Sequence, residues 1–229
     1  MLIMCVNHFL TYRKVVFLLE VKKLEIHVIT DGKQSVKELT KQLLRFHEKA
    51  DYIHIREKAK TASELMEIVS ILITGGVPQK KIVINDRIDA ALLNGLSNVH
   101  LPGHSFAIEK VRELSSSLRI GRSVHSLQEA REAAKAGADY LLFGHVFTTN
   151  SKANLAPRGV NLLAEICQCV DIPVIAIGGM TPETIQELSG IKLGGVAVMS
   201  YVMSSSEPRI ALQKMKKSLA EVKMNEKVL

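Results

Sequence analysis

Tryptophan is absent, and phenylalanine and tyrosine bring the aromatic share of the 229 residues to only 4%. The core must therefore be built from alanine, valine, isoleucine and leucine, which suits helices laid over a parallel sheet. No basic stripe is interleaved with aromatics, so nucleic acid is excluded as a partner even though the net charge is +7. Lysine and arginine instead alternate with glutamate along the expected helices, as on a solvated face, and the positive balance favours a small anionic substrate. Cysteine is scarce. Cys5, Cys167 and Cys169 are odd in number and spaced for neither a zinc site nor a redox pair, and they read as reduced thiols of a cytoplasmic protein. Cys167 and Cys169 fall on an expected helix and point to different faces. No apolar run approaches the ~20 residues that cross a bilayer, so no membrane partner is expected. Val15 to Leu19 is too short and no small-residue cleavage site follows it, which excludes a secretory signal. Residues 1–23 read as an N-terminal extension of uncertain order, either a short extra helix or a segment outside the working protein. Heptads, short repeats and a G-x-G-x-x-G after the first strand are also missing, and the last absence argues against a dinucleotide fold.

What is present is alternation. Leu24 to Ile29, Asp51 to Ile55, Lys81 to Ile84, Asn98 to Leu101, Leu118 to Gly121, Asp139 to Phe143, Ile172 to Ile177 and Val196 to Met199 read as strands. Amphipathic segments separate them. Capping boxes start at Ser35, Thr61 and Ser126, each with a glutamate three residues on. Thr181 and Pro182 read as N-cap and first helical residue. The three last strands lack polar alternation and read as buried on both faces. Eight units at this length predict an α/β chain folded as a single (β/α)8 TIM barrel over residues 24–229, with an open doubly wound sheet as the alternative.

Polar groups cluster where these strands end, and in a barrel such ends share one face. Arg56 and Lys58 are alternate residues and would present a shared cationic side to a carboxylate or phosphate. The alternative is ion pairing with Glu57 or Asp86. Asn85, Ser123, Thr149 and Lys152 complete the expected substrate contacts, the last two in a polar loop from Phe147 to Arg158. Gly178-Gly179 serves either as a tight turn or as a phosphate cradle. The matching small end at Met199-Ser200 favours the cradle, since barrels commonly hold phosphate after strands seven and eight. His145 lies one residue past strand six, where catalytic groups sit. Asp86 alone is a weak magnesium signal, and no metal is expected.

The motifs His54-Ile55-Arg56-Glu57-Lys58, Asn85-Asp86-Arg87, Val99-His100-Leu101, Gly121 to Ser126, Gly144-His145-Val146-Phe147, Ile172 to Gly179 and Val196 to Ser200 resemble the thiamine phosphate synthase-like superfamily. That superfamily holds both the synthases and the thiazole tautomerases. Here His54 stands where the synthases have glutamine, Ser105 stands at one of their two metal-binding aspartates, and His145 stands where they have proline. These departures make a thiazole tautomerase the expected activity. It would be an isomerase without cofactor, with His145 as acid/base, acting on a thiazole phosphate in thiamine biosynthesis. The alternative is the magnesium-dependent synthase, joining thiazole phosphate to a pyrimidine pyrophosphate. A non-catalytic sensor of a phosphorylated intermediate is the second alternative. Self-association as a homo-oligomer is compatible with the chain.

Overall fold

A computed structural model describes residues 23–153 and 155–225. Eight strands, β1 (Glu25–Ile29), β2 (Tyr52–Ile55), β3 (Ile82–Asn85), β4 (Asn98–Leu101), β5 (Arg119–Val124), β6 (Tyr140–Gly144), β7 (Val174–Ile177) and β8 (Gly195–Val198), pair in parallel in chain order, and β8 returns to β1. Closure excludes the open sheet. Between the strands run α1 (Val36–Leu44), α2 (Ala62–Thr74), α3 (Ile88–Leu93), α4 (Ile108–Leu114), α5 (Leu127–Lys135), α6 (Gly159–Cys169) and α7 (Pro182–Gln186). The short α8 (Ser200–Met203) and the long α9 (Pro208–Asn225) follow β8. The expectations for residues 1–22, Cys5 included, lie outside the described residues. No helix among the described residues is long and apolar enough to cross a membrane.

Local chemistry sets the element ends. Ser35 and Thr61 each form a complete capping box with Glu38 and Glu64. Ser126 does so only in part: its hydroxyl accepts from Glu129 N–H, whereas the Glu129 carboxylate takes the His125 amide at 2.7 Å. Pro182 opens α7 behind Thr181, and Thr184 closes that box. Strand β5 runs three residues beyond its expected end at Gly121, because Arg122 and Ser123 continue the ladder as alternate inward and outward positions.

Two apolar regions result. The larger lies between strands and helices and takes Ile26, Val28, Ile53, Leu141 and Phe143 from the outer face of the barrel. The smaller, of Ile29, Tyr140, Leu142, Ile175 and Ala197, fills the lumen. This explains the alternation of strand one. Ile26 and Val28 face helices, and their neighbours Glu25 and His27 share the inward side with Ile29.

Part of that lumen is polar. His27, His54 and His100 are at most 1% exposed. His27 Nδ1 lies 2.9 Å from His54 Nε2, and His27 Nε2 lies 3.0 Å from a Glu25 carboxylate oxygen. The Arg119 guanidinium stacks on the rings of Tyr52 and Tyr140 at 4.3 and 4.2 Å and reaches Glu25 at 3.3 Å. Burial is the main force holding these imidazoles neutral. It lowers His27, takes His54 well below its ordinary value, and brings His100 to about 3. Their contribution to stability is therefore present above the unfolded value near 6.5 and is lost as pH falls below it, by up to about 1.4 kcal/mol per histidine per pH unit. Urea unfolding at pH 7.5 and 5.5 checks this: stability should drop measurably over that window, and a flat response would mean that these rings take up protons in the folded state.

Candidate active site

The C-terminal ends of the strands surround a cavity of about 1010 Å³. The eleven residues expected to react with or bind substrate line it, namely Arg56, Lys58, Asn85, Ser123, His145, Thr149, Lys152, Gly178, Gly179, Met199 and Ser200, whereas Asp86 lies outside this lining. They come from six strand ends and one loop, so the barrel topology itself gathers them.

The cations are placed by the turn after β2. Buried Thr30 at the end of β1 accepts the Arg56 amide through its hydroxyl at 2.8 Å. The chain leaves β2 through Arg56 and turns at Lys58, the Lys60 amide donating to the Glu57 carbonyl at 3.1 Å; Arg56 and Lys58 line the cavity while Glu57 does not. Glu57 is buried and accepts from Lys60 Nζ at 2.7 Å and from the Gly32 amide at 3.2 Å. The ion pairs considered for Arg56 and Lys58 therefore do not form. Among the described residues no carboxylate lies within 4 Å of Arg56, Lys58 or Lys152. Lys152 sits in a single 3₁₀ turn, Asn150–Lys152. Burial, followed by the positive fields of Arg158 and Arg56, pushes its ammonium below the ordinary value. An array of unanswered positive charge is a site prepared for an anion.

The same cavity also receives backbone donors. Gly178 and Gly179 have φ of +100° and +68°, a region glycine adopts without strain. Both are also pressed closely: a Cβ on Gly178 would lie 2.2 Å from the His145 Cβ, and one on Gly179 2.6 Å from the Thr148 carbonyl oxygen. Their amides are given no acceptor among the described residues. Ser200, exposed at the start of α8, lines the same wall.

His145 is 4% exposed. Its Nε2 lies 3.1 Å from the Leu155 carbonyl, to which it donates, and its Nδ1 is buried without a partner. Arg158 ties the same loop back, its amide to the His145 carbonyl at 2.9 Å and its Nε to the Gly144 carbonyl at 3.1 Å. The ring thus ties Leu155, and Arg158 adds a second tie, to the end of β6. Asp86 has φ of +69°, a conformation aspartate tolerates better than most residues. Its carboxylate faces His104 Nε2 at 3.8 Å. The sequence places His100 among the polar strand ends without giving it a role, and it lines the cavity. Its Nε2 lies 2.8 Å from Ser123 Oγ, and the signal was the inward register that His100 shares with Gly121 on β5.

Comparison with known proteins gives this geometry a context. The family described as thiamine monophosphate synthase matches residues 26–202. A thiamine-phosphate synthase of Pyrococcus abyssi is 36% identical over 204 residues, covering 88% of this chain and 97% of that protein. The solved thiamine phosphate pyrophosphorylase of Pyrococcus furiosus superposes with a TM-score of 0.73 at 34% identity, covering 88% of this chain and 98% of that one. A 3-hexulose-6-phosphate synthase superposes with a TM-score of 0.68 at 13% identity over 85% and 99% of the two chains, and shares the fold alone. These relatives overturn the expected thiazole tautomerase. Synthases, which are transferases, and not isomerases are what match nearly the whole chain, and the acid/base role expected for His145 goes with the isomerase. A strand-end face lined with unpaired cations, carried on a barrel alike in sequence over nearly its full length to such enzymes, places the chain in the thiamine monophosphate synthase family.

Proposed function

We propose that this protein is a thiamine-phosphate synthase, joining a thiazole phosphate to a pyrimidine carried as its diphosphate ester. The observation that carries this reading is the unanswered cationic array of Arg56, Lys58 and Lys152 in a chain 36% identical to a synthase over 88% of its length. In the reaction the bond from the pyrimidine methylene to the diphosphate oxygen breaks. The thiazole ring nitrogen, whose lone pair is the available nucleophile, forms a carbon–nitrogen bond, and pyrophosphate leaves. Negative charge develops on the departing diphosphate, and Arg56, Lys58 and Lys152 lie where fixed positive charge stabilises it. Gly178, Gly179, Met199 and Ser200 hold the phosphate of the thiazole, fixing the two reactants relative to each other. Asn85, Ser123 and Thr149 orient the substrates between them. His145, through Leu155, ties the segment that follows Lys152 to the end of β6.

This reading implies magnesium. Among the described residues no three His, Cys, Asp or Glu side chains converge on a metal position. Asp86 offers a single carboxylate, and Ser105, in the loop of His104, carries a buried hydroxyl without a partner. That donor set fits a hard ion that takes one carboxylate and draws its remaining oxygens from substrate phosphates. Asp86 would hold it, and the bound ion would neutralise charge on the diphosphate. The expectation of a reaction without cofactor is set aside together with the tautomerase.

Purified full-length protein given both substrates and magnesium should form thiamine phosphate and pyrophosphate in equal amounts. Asp86→Asn should lower turnover by about 10²-fold, in the range for losing a group that stabilises developing charge. Pyrophosphate release with no coupled product, or no reaction at all, would refute the assignment. Lys152→Ala should raise the KM for the diphosphate substrate by about tenfold, the loss of one charge-assisted contact. Because the Lys152 ammonium is lowered, its charge fades earlier as pH rises, so the KM of the unsubstituted enzyme should climb on the alkaline side. Lys152→Arg should abolish that climb, and an identical alkaline profile in both would assign the titration elsewhere.

A further inference from the structure

Three side chains form a chain of hydrogen bonds from the closed lumen to the cavity. Tyr140 is fully buried, and its hydroxyl lies 3.4 Å from His100 Nδ1, its one partner among the described residues. On the other side of the imidazole, Nε2 lies 2.8 Å from Ser123 Oγ, and Ser123 lines the cavity. The sheet builds this arrangement. His100 on β4, Gly121 on β5 and Tyr140 on β6 stand in register across adjacent strands, and Ser123 follows Gly121 on the same face. Gly121 makes room for the phenol, since a Cβ there would lie 2.0 Å from Tyr140 Cζ and 2.3 Å from its hydroxyl.

The hydrogens can be counted. A neutral imidazole donates from one nitrogen and accepts at the other. If Tyr140 donates to Nδ1, then Nε2–H donates to Ser123 Oγ, and the serine hydrogen is left for the cavity. If the chain runs the other way, Ser123 donates to Nε2 and Nδ1–H donates to the phenol oxygen. The phenol hydrogen then stays buried with no acceptor, a penalty that biases the direction by roughly ten- to a hundredfold. Protonation does not blur the choice. Burial, then the fields of His27 and Arg122, hold His100 neutral with a value of about 3, and burial pushes the Tyr140 phenol up.

We propose that Tyr140 and His100 are positioning residues that fix Ser123 as a hydrogen-bond donor toward a lone-pair acceptor atom of the bound substrate. The substrate role rests on the synthase reading; the direction of the chain does not. The serine hydrogen is then free for a substrate lone pair, while one of the two lone pairs on its oxygen is taken by His100.

The test has two arms on the full-length chain. The first is ¹⁵N NMR of histidine-labelled protein without ligand, the His100 signals being assigned with His100→Gln. The proposal expects the hydrogen on Nε2, and a tautomer mixture in Tyr140→Phe. A hydrogen on Nδ1 in the unsubstituted chain overturns it, whatever the enzyme's activity and whether or not Tyr140→Phe folds. The second is a double-mutant cycle read as KM for each of the two substrates. Tyr140→Phe should raise one KM about fivefold with little change in kcat, and should have no further effect once Ser123→Ala is present. The substrate showing this coupling is the one that carries the acceptor. Equal effects of Tyr140→Phe with and without the serine hydroxyl, for both substrates, overturn the positioning role. Absence of any synthase turnover would sink the functional reading, while the NMR arm still decides the direction of the chain.

Discussion

Arg56, Lys58 and Lys152 line one cavity, and the acidic groups that could have answered them are engaged elsewhere. Glu57 lies between two of them in sequence, yet it is buried and held by Lys60 and the Gly32 amide. Arg56 and Arg158 add their fields to the burial that depresses Lys152. Gathering like charges without counter-ions costs stability, against which the barrel sets the burial of its two apolar regions. Only an anion relieves the repulsion, so the array favours a multiply charged ligand over a neutral one.

The lumen carries a second use of the same architecture. A parallel barrel buries both faces of every strand, so a polar residue pointing inward must find its partner inside. Glu25, His27 and His54 form one such row, and Tyr140, His100 and Ser123 another. Cys167 shows the contrasting case, a thiol pushed up to about 12 chiefly by burial among helices, and inert for that reason. The two rows differ at their ends. One terminates at the unpartnered Nδ1 of His54, and the other reaches the cavity through a serine.

Much of this was legible in the residues. Ser35 with Glu38 and Thr61 with Glu64 start the helices they announce, because a capping box is satisfied within four residues and needs no tertiary help. The strand ends gathered around one cavity because chain order fixes the topology of a parallel barrel. The lumen was harder to read. The alternation of Glu25 and His27 on strand one resembles a solvent-facing edge, and only closure turns that side inward. The extension of β5 past Gly121 was hidden by Arg122 and Ser123, whose polarity mimics a loop. Arg122 in fact reaches out to the carbonyls of Gly103 and Phe106, both at 3.0 Å. His145 misled for a related reason. Residue type shows that an imidazole stands at the mouth of the barrel, but not that its Nε2 is spent on the Leu155 carbonyl.

The central claim is that the unanswered cations at the barrel mouth exist to hold a diphosphate. Calorimetric titration of the full-length protein with inorganic pyrophosphate, at low and at high salt, tests it most directly. The account predicts one saturable site that weakens as salt rises and that is lost in large part in Arg56→Gln. Failure to saturate, or an affinity indifferent to both salt and Arg56, would contradict it.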